Sequence, residues 1–136
     1  MTTTDAIDEI LGSRVFAVVG ASRDGRKYGS IVFADLLDKG YRAYPVNPHA
    51  SEILGRRAYP TIASLPADVE ALVLVMPPVR SEQAVQEALA AGIRRVWMQP
   101  GAESAAAVAF CAGNGITVVS GVCLMMQALK ADCGQG

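Results

Sequence analysis

Long apolar runs are missing from this 136-residue chain. None approaches the roughly 20 residues that a membrane-spanning helix needs. Charge is sparse and balanced: charged residues make up 18% and the formal net charge is -1. No global field therefore draws the chain to nucleic acid or to an anionic membrane surface. Histidine occurs once, as His49 in a proline-bounded turn, so no Ser–His–acid arrangement is available for nucleophilic catalysis. Cysteine occurs three times, at Cys111, Cys123 and Cys133, an odd set without metal-type spacing. That excludes a disulfide framework and a zinc site and fits a reducing cytoplasm. The opening MTTTDAIDEI carries acids and no basic leader before an apolar stretch, which predicts a chain that is not secreted. Acids are scattered too: Asp35, Asp38, Glu82 and Glu87 fall on expected helix faces, and no pair sits at strand ends as a general acid and base would.

What is present is apolar and short-ranged. Hydrophobic residues make up 51%, enough for one well-buried core in a single domain, 1–136, without repeat or linker. Valine-rich runs of about five residues fall at 15–19, 42–46, 71–76, 94–98 and 116–119, and most lack polar alternation, as strands covered on both faces do. Helical punctuation separates them. Thr4 is placed to cap an N-terminal helix within 1–12 that shares Ile7, Ile10 and Leu11 on one face, with Gly12 beyond it. A second helix spans 30–39 and stops at Gly40; a third opens at Ser81 and stops at Gly92. A fourth spans 104–112, a short last one 124–130, and a ragged tail follows at 132–136. The stretch 49–70 reads as an irregular crossover, with one helical turn at 51–54 and a short strand near 57–59. The fold expected is α/β, a doubly wound, mainly parallel five-stranded Rossmann-like sheet. Ligands of such sheets bind beyond the carboxyl ends of the strands, where the strand order reverses.

The loop after the first strand, VVGASRDGRKYG (18–29), is the most specific stretch. Gly20 and Gly25 let backbone approach a ligand, a helix N-terminus follows, and Arg23, Arg26 and Lys27 add positive charge. That chemistry suits phosphate. Against the dinucleotide fingerprint G-x-G-x-x-G, Ser22 replaces the middle glycine, and Asn47-Pro48 stands where an acid would hold a ribose. NADP stays open because arginines are close. Against the P-loop, Arg26 and Lys27 replace the lysine and the magnesium-binding hydroxyl. The structural alternative is a tight strand-to-helix turn, which leaves the cations unexplained.

Other loop motifs join this one in order: YPVNP at 44–48, ILG at 53–55, AYP at 58–60, MPP at 76–78 and VWMQPG at 96–101. Together with VGAS and KYG they resemble the CoA-binding domain family, small Rossmann-type proteins similar to the N-terminal domain of the succinyl-CoA synthetase α subunit. The resemblance covers roughly 13–126. It implies coenzyme A or an acyl-CoA lying across the strand ends. Its phosphates would rest on Gly20, Ala21, Ser22, Arg23, Asp24 and Gly25, with Lys27 and Tyr28 behind. Asn47 and Pro48 would flank the nucleotide, Met76, Pro77 and Pro78 would wall the adenine, and Met98 and Gln99 would line the pantetheine path. A cation for the 3′-phosphate would come from Arg56, Arg57 or the first loop, since His49, Ala50 and Ser51 follow Pro48. Cys123, after the fifth strand, would face the emerging thiol as a reactive thiolate, or else pack as a small buried residue. Trp97 and Cys111 read as core, and Ala105–Ala107 as close helix packing or a dimer contact. The implied function is binding without catalysis: delivery, storage or sensing of the cofactor, or partnership with a separate catalytic subunit. An NAD(P)-linked oxidoreductase domain and a regulatory partner module are the alternatives.

Overall fold

Five consecutive apolar residues, Val15–Val19, form β1, and all five are buried. A strand without a polar face needs cover on both sides, and the computed structural model, which describes residues 2–127, supplies it. The order is α1 (Thr3–Leu11), β1, α2 (Tyr28–Asp38), β2 (Arg42–Val46), β3 (Glu52–Ile53), β4 (Arg56–Arg57), a 3-10 turn (Ile62–Ser64), β5 (Ala71–Leu74), α3 (Pro78–Ala90), β6 (Arg95–Met98), α4 (Ala105–Gly113) and β7 (Thr117–Ser120). A helical turn at 124–127 follows, and the tail at 132–136, with Cys133, lies outside the described residues.

The main sheet has five parallel strands in the order β2-β1-β5-β6-β7. Period-two alternation splits its side chains between two cores. Val15, Ala17, Val19, Leu72, Leu74, Val96 and Met98 pack under α3 and α4. Phe16, Val18, Ala71, Val73 and Trp97 pack under α1 and α2. Trp97 is fully buried and its indole N–H donates to the Val122 carbonyl at 3.0 Å, so it packs and does not stack on a ligand. Cys111 is buried on the inner face of α4, and burial pushes its thiol up to about 11.

The structure departs from the sequence-based expectations at three places. Thr2, not Thr4, caps α1, through a reciprocal pair of hydrogen bonds with Asp5. The expected helical turn at 51–54 is instead a hairpin of β3 and β4. Leu54 (φ 51°) and Gly55 (φ 73°) both take positive φ, the requirement of a two-residue primed turn. Finally, α3 opens at Pro78, three residues before Ser81. Proline is tolerated at a first helical position because that N–H has no intrahelical partner.

Two glycines decide how α2 meets the sheet. A Cβ on Gly20, whose φ is +106°, would stand 2.0 Å from the Val75 carbonyl oxygen. A Cβ on Gly29, in the first turn of α2, would stand 2.0 Å from the Gly20 carbonyl oxygen. Gly25 meets nothing within 4 Å and has no positive φ. Gly29→Ala is therefore expected to cost about 2–3 kcal/mol through overpacking against backbone, and Gly25→Ala less than about 0.5 kcal/mol. Urea unfolding of both variants checks this; equal midpoints for the two would contradict the packing.

Candidate functional site

The strand order reverses at β1, whose neighbours are β2 on one side and β5 on the other, so the loops leaving these three strands enclose a crevice. Gly20 donates to the Val46 carbonyl at 3.2 Å and Val75 donates to the Val19 carbonyl at 2.9 Å, which keeps the strand ends together. The contact of Gly29 with Gly20 then sets the first turn of α2 directly at the mouth. That helix begins after Lys27 with no side-chain cap and no acid in its first turn. The first amides of a helix lack intrahelical partners and carry partial positive charge, a combination that suits an anion.

The loop before it is braced from within. Ser22 Oγ accepts from the Asp24 amide at 3.1 Å, and the Asp24 carboxylate accepts from the Arg26 amide at 3.0 Å and pairs with the Arg26 guanidinium at 3.1 Å. The Arg26 side chain, then its amide, hold the Asp24 carboxyl below its usual range. Asp24 thus shapes the turn, and Arg26 is engaged by it. Arg23 and Lys27 are exposed and have no ion-pair partner among the described residues.

Asn47 ties the loops to one another. Its Nδ2 donates to the Ala21 carbonyl at 2.8 Å, its Oδ1 accepts from the His49 amide at 2.7 Å, and its own amide donates to the Tyr59 carbonyl at 2.9 Å. Both ends of the side chain are spent on the protein, so Asn47 positions the site.

A cleft of about 610 Å³ opens between these loops. Gly20, Asn47, Pro48, Met76 and Pro77 line it, five of the residues expected there. A hollow of about 540 Å³ lined by Ser22, Arg23, Asp24, Asn47, His49 and Ala50 shares Asn47 and His49 with it. The two wrap the mouth from the glycine loop round to α3. Sequence reasoning missed the far wall: Arg80, Gln83 and Glu87 of α3, and Thr61 and Ile62 of the crossover, also line the cleft. The signal for Arg80 was the Pro77-Pro78 pair, which opens α3 early enough to bring that side chain round.

Four expectations about side chains need correction. Pro78 is exposed and is not among the cleft-lining residues, because it forms the first turn of α3. Met98 is fully buried in the core beneath α3 and α4. Gln99 is fully buried too: its Oε1 accepts from the Leu124 amide at 2.6 Å, and its Nε2 donates to the Tyr28 hydroxyl at 2.8 Å. Neither lines an open path. Arg56 and Arg57 sit on the outer edge of β2, in a groove with Arg42 and Tyr44, and Arg57 lies over the Tyr59 ring at 5.1 Å. Neither is among the residues that line the cleft.

Tyr28 and Gln99 meet at Cys123. The half-buried thiol lies 3.4 Å from the Tyr28 hydroxyl and 3.5 Å from Gln99 Nε2. Burial alone would raise this thiol, but hydrogen bonds from Tyr28, Gln99 and the amides of Met125 and Met126 outweigh it and bring the net value below the ordinary one. Burial, then the Cys123 contact, push Tyr28 up to about 12, so its hydroxyl stays a donor. Removing that donor leaves the thiolate less stabilised. Tyr28→Phe is expected to shift the pH profile of Cys123 alkylation by iodoacetamide to higher pH, with Cys111 slower than Cys123 in both proteins. Peptide-resolved mass spectrometry reads each cysteine; a profile that stays put or moves to lower pH would show that Tyr28 does not support the thiolate.

Comparison with known proteins agrees with this geometry. The profile of the family described as "CoA binding domain" matches residues 14–128. The α subunit of acetate–CoA ligase (ADP-forming) II from Pyrococcus furiosus is 33% identical over 91 residues, 66% of this chain but 20% of that protein. This chain thus spans about a fifth of the length of that relative. Among solved structures, a hypothetical protein from Pyrococcus horikoshii OT3 superposes with a TM-score of 0.88 at 33% identity, covering 96% of this chain and 92% of that one. A dinucleotide-forming acetyl-coenzyme A synthetase from Ca. Korarchaeum cryptofilum gives 0.73 at 27% identity, covering 82% of this chain and 26% of that one. The uncapped helix at the switch point, the paired loops at Asn47-Pro48 and Met76-Pro77, and a family match over most of the chain lead to one conclusion: this chain belongs to the CoA-binding domain family.

Proposed function

We propose that this protein binds coenzyme A or an acyl-CoA and does no chemistry on it alone, serving as a carrier or sensor of the cofactor or as the cofactor-binding partner of a separate catalytic subunit. The observation that carries the reading is the docking of α2 on Gly20, which sets an uncapped helix N-terminus beside a residue that lines a cleft walled by Asn47-Pro48 and Met76-Pro77. The diphosphate rests on the backbone of 20–25, with Arg23 and Lys27 beside it, and the adenine lies along Met76 and Pro77, a rigid apolar wall. Family membership supports the ligand class. The subunit relationship of the acetate–CoA ligase relative supports a separate catalytic partner. Against an NAD(P) reading, Asn47 stands where an acid would hold the ribose hydroxyls, and its side chain is already held by the Ala21 carbonyl and the His49 amide.

A thermal-shift and calorimetry panel of CoA, acetyl-CoA, NAD, NADP and ATP tests the proposal. CoA or acetyl-CoA at 100 times its dissociation constant should stabilise the fold by about 2.7 kcal/mol, with affinity falling as salt rises. A response to NADP or ATP with none to CoA would overturn the assignment. Ser22→Glu sets a carboxylate among the phosphate contacts and should remove the CoA response without loss of the folded state. Gly20→Val is no clean probe of binding, because a Cβ there meets the Val75 backbone at 2.0 Å and folding suffers too.

A further inference from the structure

The cations of the site fall into two groups that the sequence runs together. Arg23 lies in the hollow beside the glycine loop, with Ser22 and Asp24. Arg80 lines the main cleft, on the wall made by α3, with Pro77 on its own side and Pro48 and His49 opposite. Arg56 and Arg57, the other arginines near enough in sequence to matter, occupy the separate groove on the outer edge of β2. Of the residues that line the main cleft, only Arg80 and His49 can carry positive charge, and Glu87 is the one acid, two turns further along α3. Arg80 is exposed and makes no ion pair among the described residues. Its guanidinium is always charged and presents a planar fork of donors, the geometry that suits a phosphate monoester.

A free arginine on the wall of a cleft that also holds the proposed adenine-binding edge has an evident counterpart on the ligand. Building on the CoA reading, we propose that Arg80 recognises the 3′-phosphate of the adenosine moiety and so discriminates coenzyme A from its 3′-dephospho form and from nucleotides with a bare 3′-hydroxyl. In this assignment Arg80, on the α3 wall of the cleft, takes the 3′-phosphate, while the glycine loop, with Arg23 and Lys27, takes the diphosphate. The two phosphate groups of one ligand are thereby read by different elements, α3 and the β1–α2 loop.

Isothermal titration of wild type, Arg80→Gln and Arg80→Lys with CoA and with 3′-dephospho-CoA tests this. Wild type should prefer CoA by about tenfold or more, the worth of a hydrogen-bonded charge pair. Arg80→Gln should weaken CoA to the level of dephospho-CoA and leave dephospho-CoA binding unchanged, and Arg80→Lys should restore part of the difference. Adenosine 3′,5′-bisphosphate should compete with CoA against wild type better than AMP does, and lose that advantage against Arg80→Gln. Equal affinity of wild type for the two CoA forms, or an Arg80→Gln effect that is absent or equal on both, would overturn the assignment while CoA binding itself stands. A wild type that binds neither form would instead remove the CoA reading on which the assignment rests.

Discussion

Everything at the carboxyl end of the sheet depends on one backbone contact, that of Gly29 in α2 with the carbonyl of Gly20 at the end of β1. Neither position has room for a Cβ, and Gly20 is squeezed a second time by Val75 at the end of β5. A helix can approach a strand end this closely only where side chains are missing from both. The approach brings the first turn of α2 to the end of β1, beside a residue that lines the cleft.

Around that contact the polar side chains mostly serve the protein. Asn47 spends both ends of its amide fastening the loop after β2 to the loop after β1. Ser22 and Asp24 fold the glycine loop onto itself. On the other side of the mouth, buried Gln99 holds Tyr28, Cys123 and the amide of Leu124, so the segment after β7 is fastened to the start of α2. Beside this framework stand two exposed cations on the loop, Arg23 and Lys27, and one exposed arginine on the facing helix, Arg80. Cys123 sits in this frame as a thiol whose hydrogen bonds outweigh its burial.

Much of this was legible in the chain, for reasons that differ element by element. The five main strands announced themselves because valine-rich runs without polar alternation have few other destinations than a sheet covered on both faces. The glycine loop and the PVNP and MPP turns were readable because proline and glycine restrict the backbone locally. The hairpin of β3 and β4 was not, since two-residue strands carry no periodicity and Leu54 is a poor advertisement for positive φ. Met98 and Gln99 were misplaced for a related reason. A strand end such as VWMQ has no polar alternation, so its faces cannot be told apart before neighbours are in place, and a buried glutamine looks like an exposed one until its partners are known.

The sequence by itself determined the fold class, the strand that leads into the glycine loop and the kind of charge that loop can accept, because these rest on local backbone preference and on apolar patterning. Only the tertiary structure decided which cations meet in one cleft. Arg56 and Arg57 turn to the outer edge of β2, while Arg80, distant in sequence, arrives opposite Pro48 and His49. The physical reason is that a side chain's position relative to another element depends on helix phase and strand register, and those are set by how the cores under the two sheet faces pack.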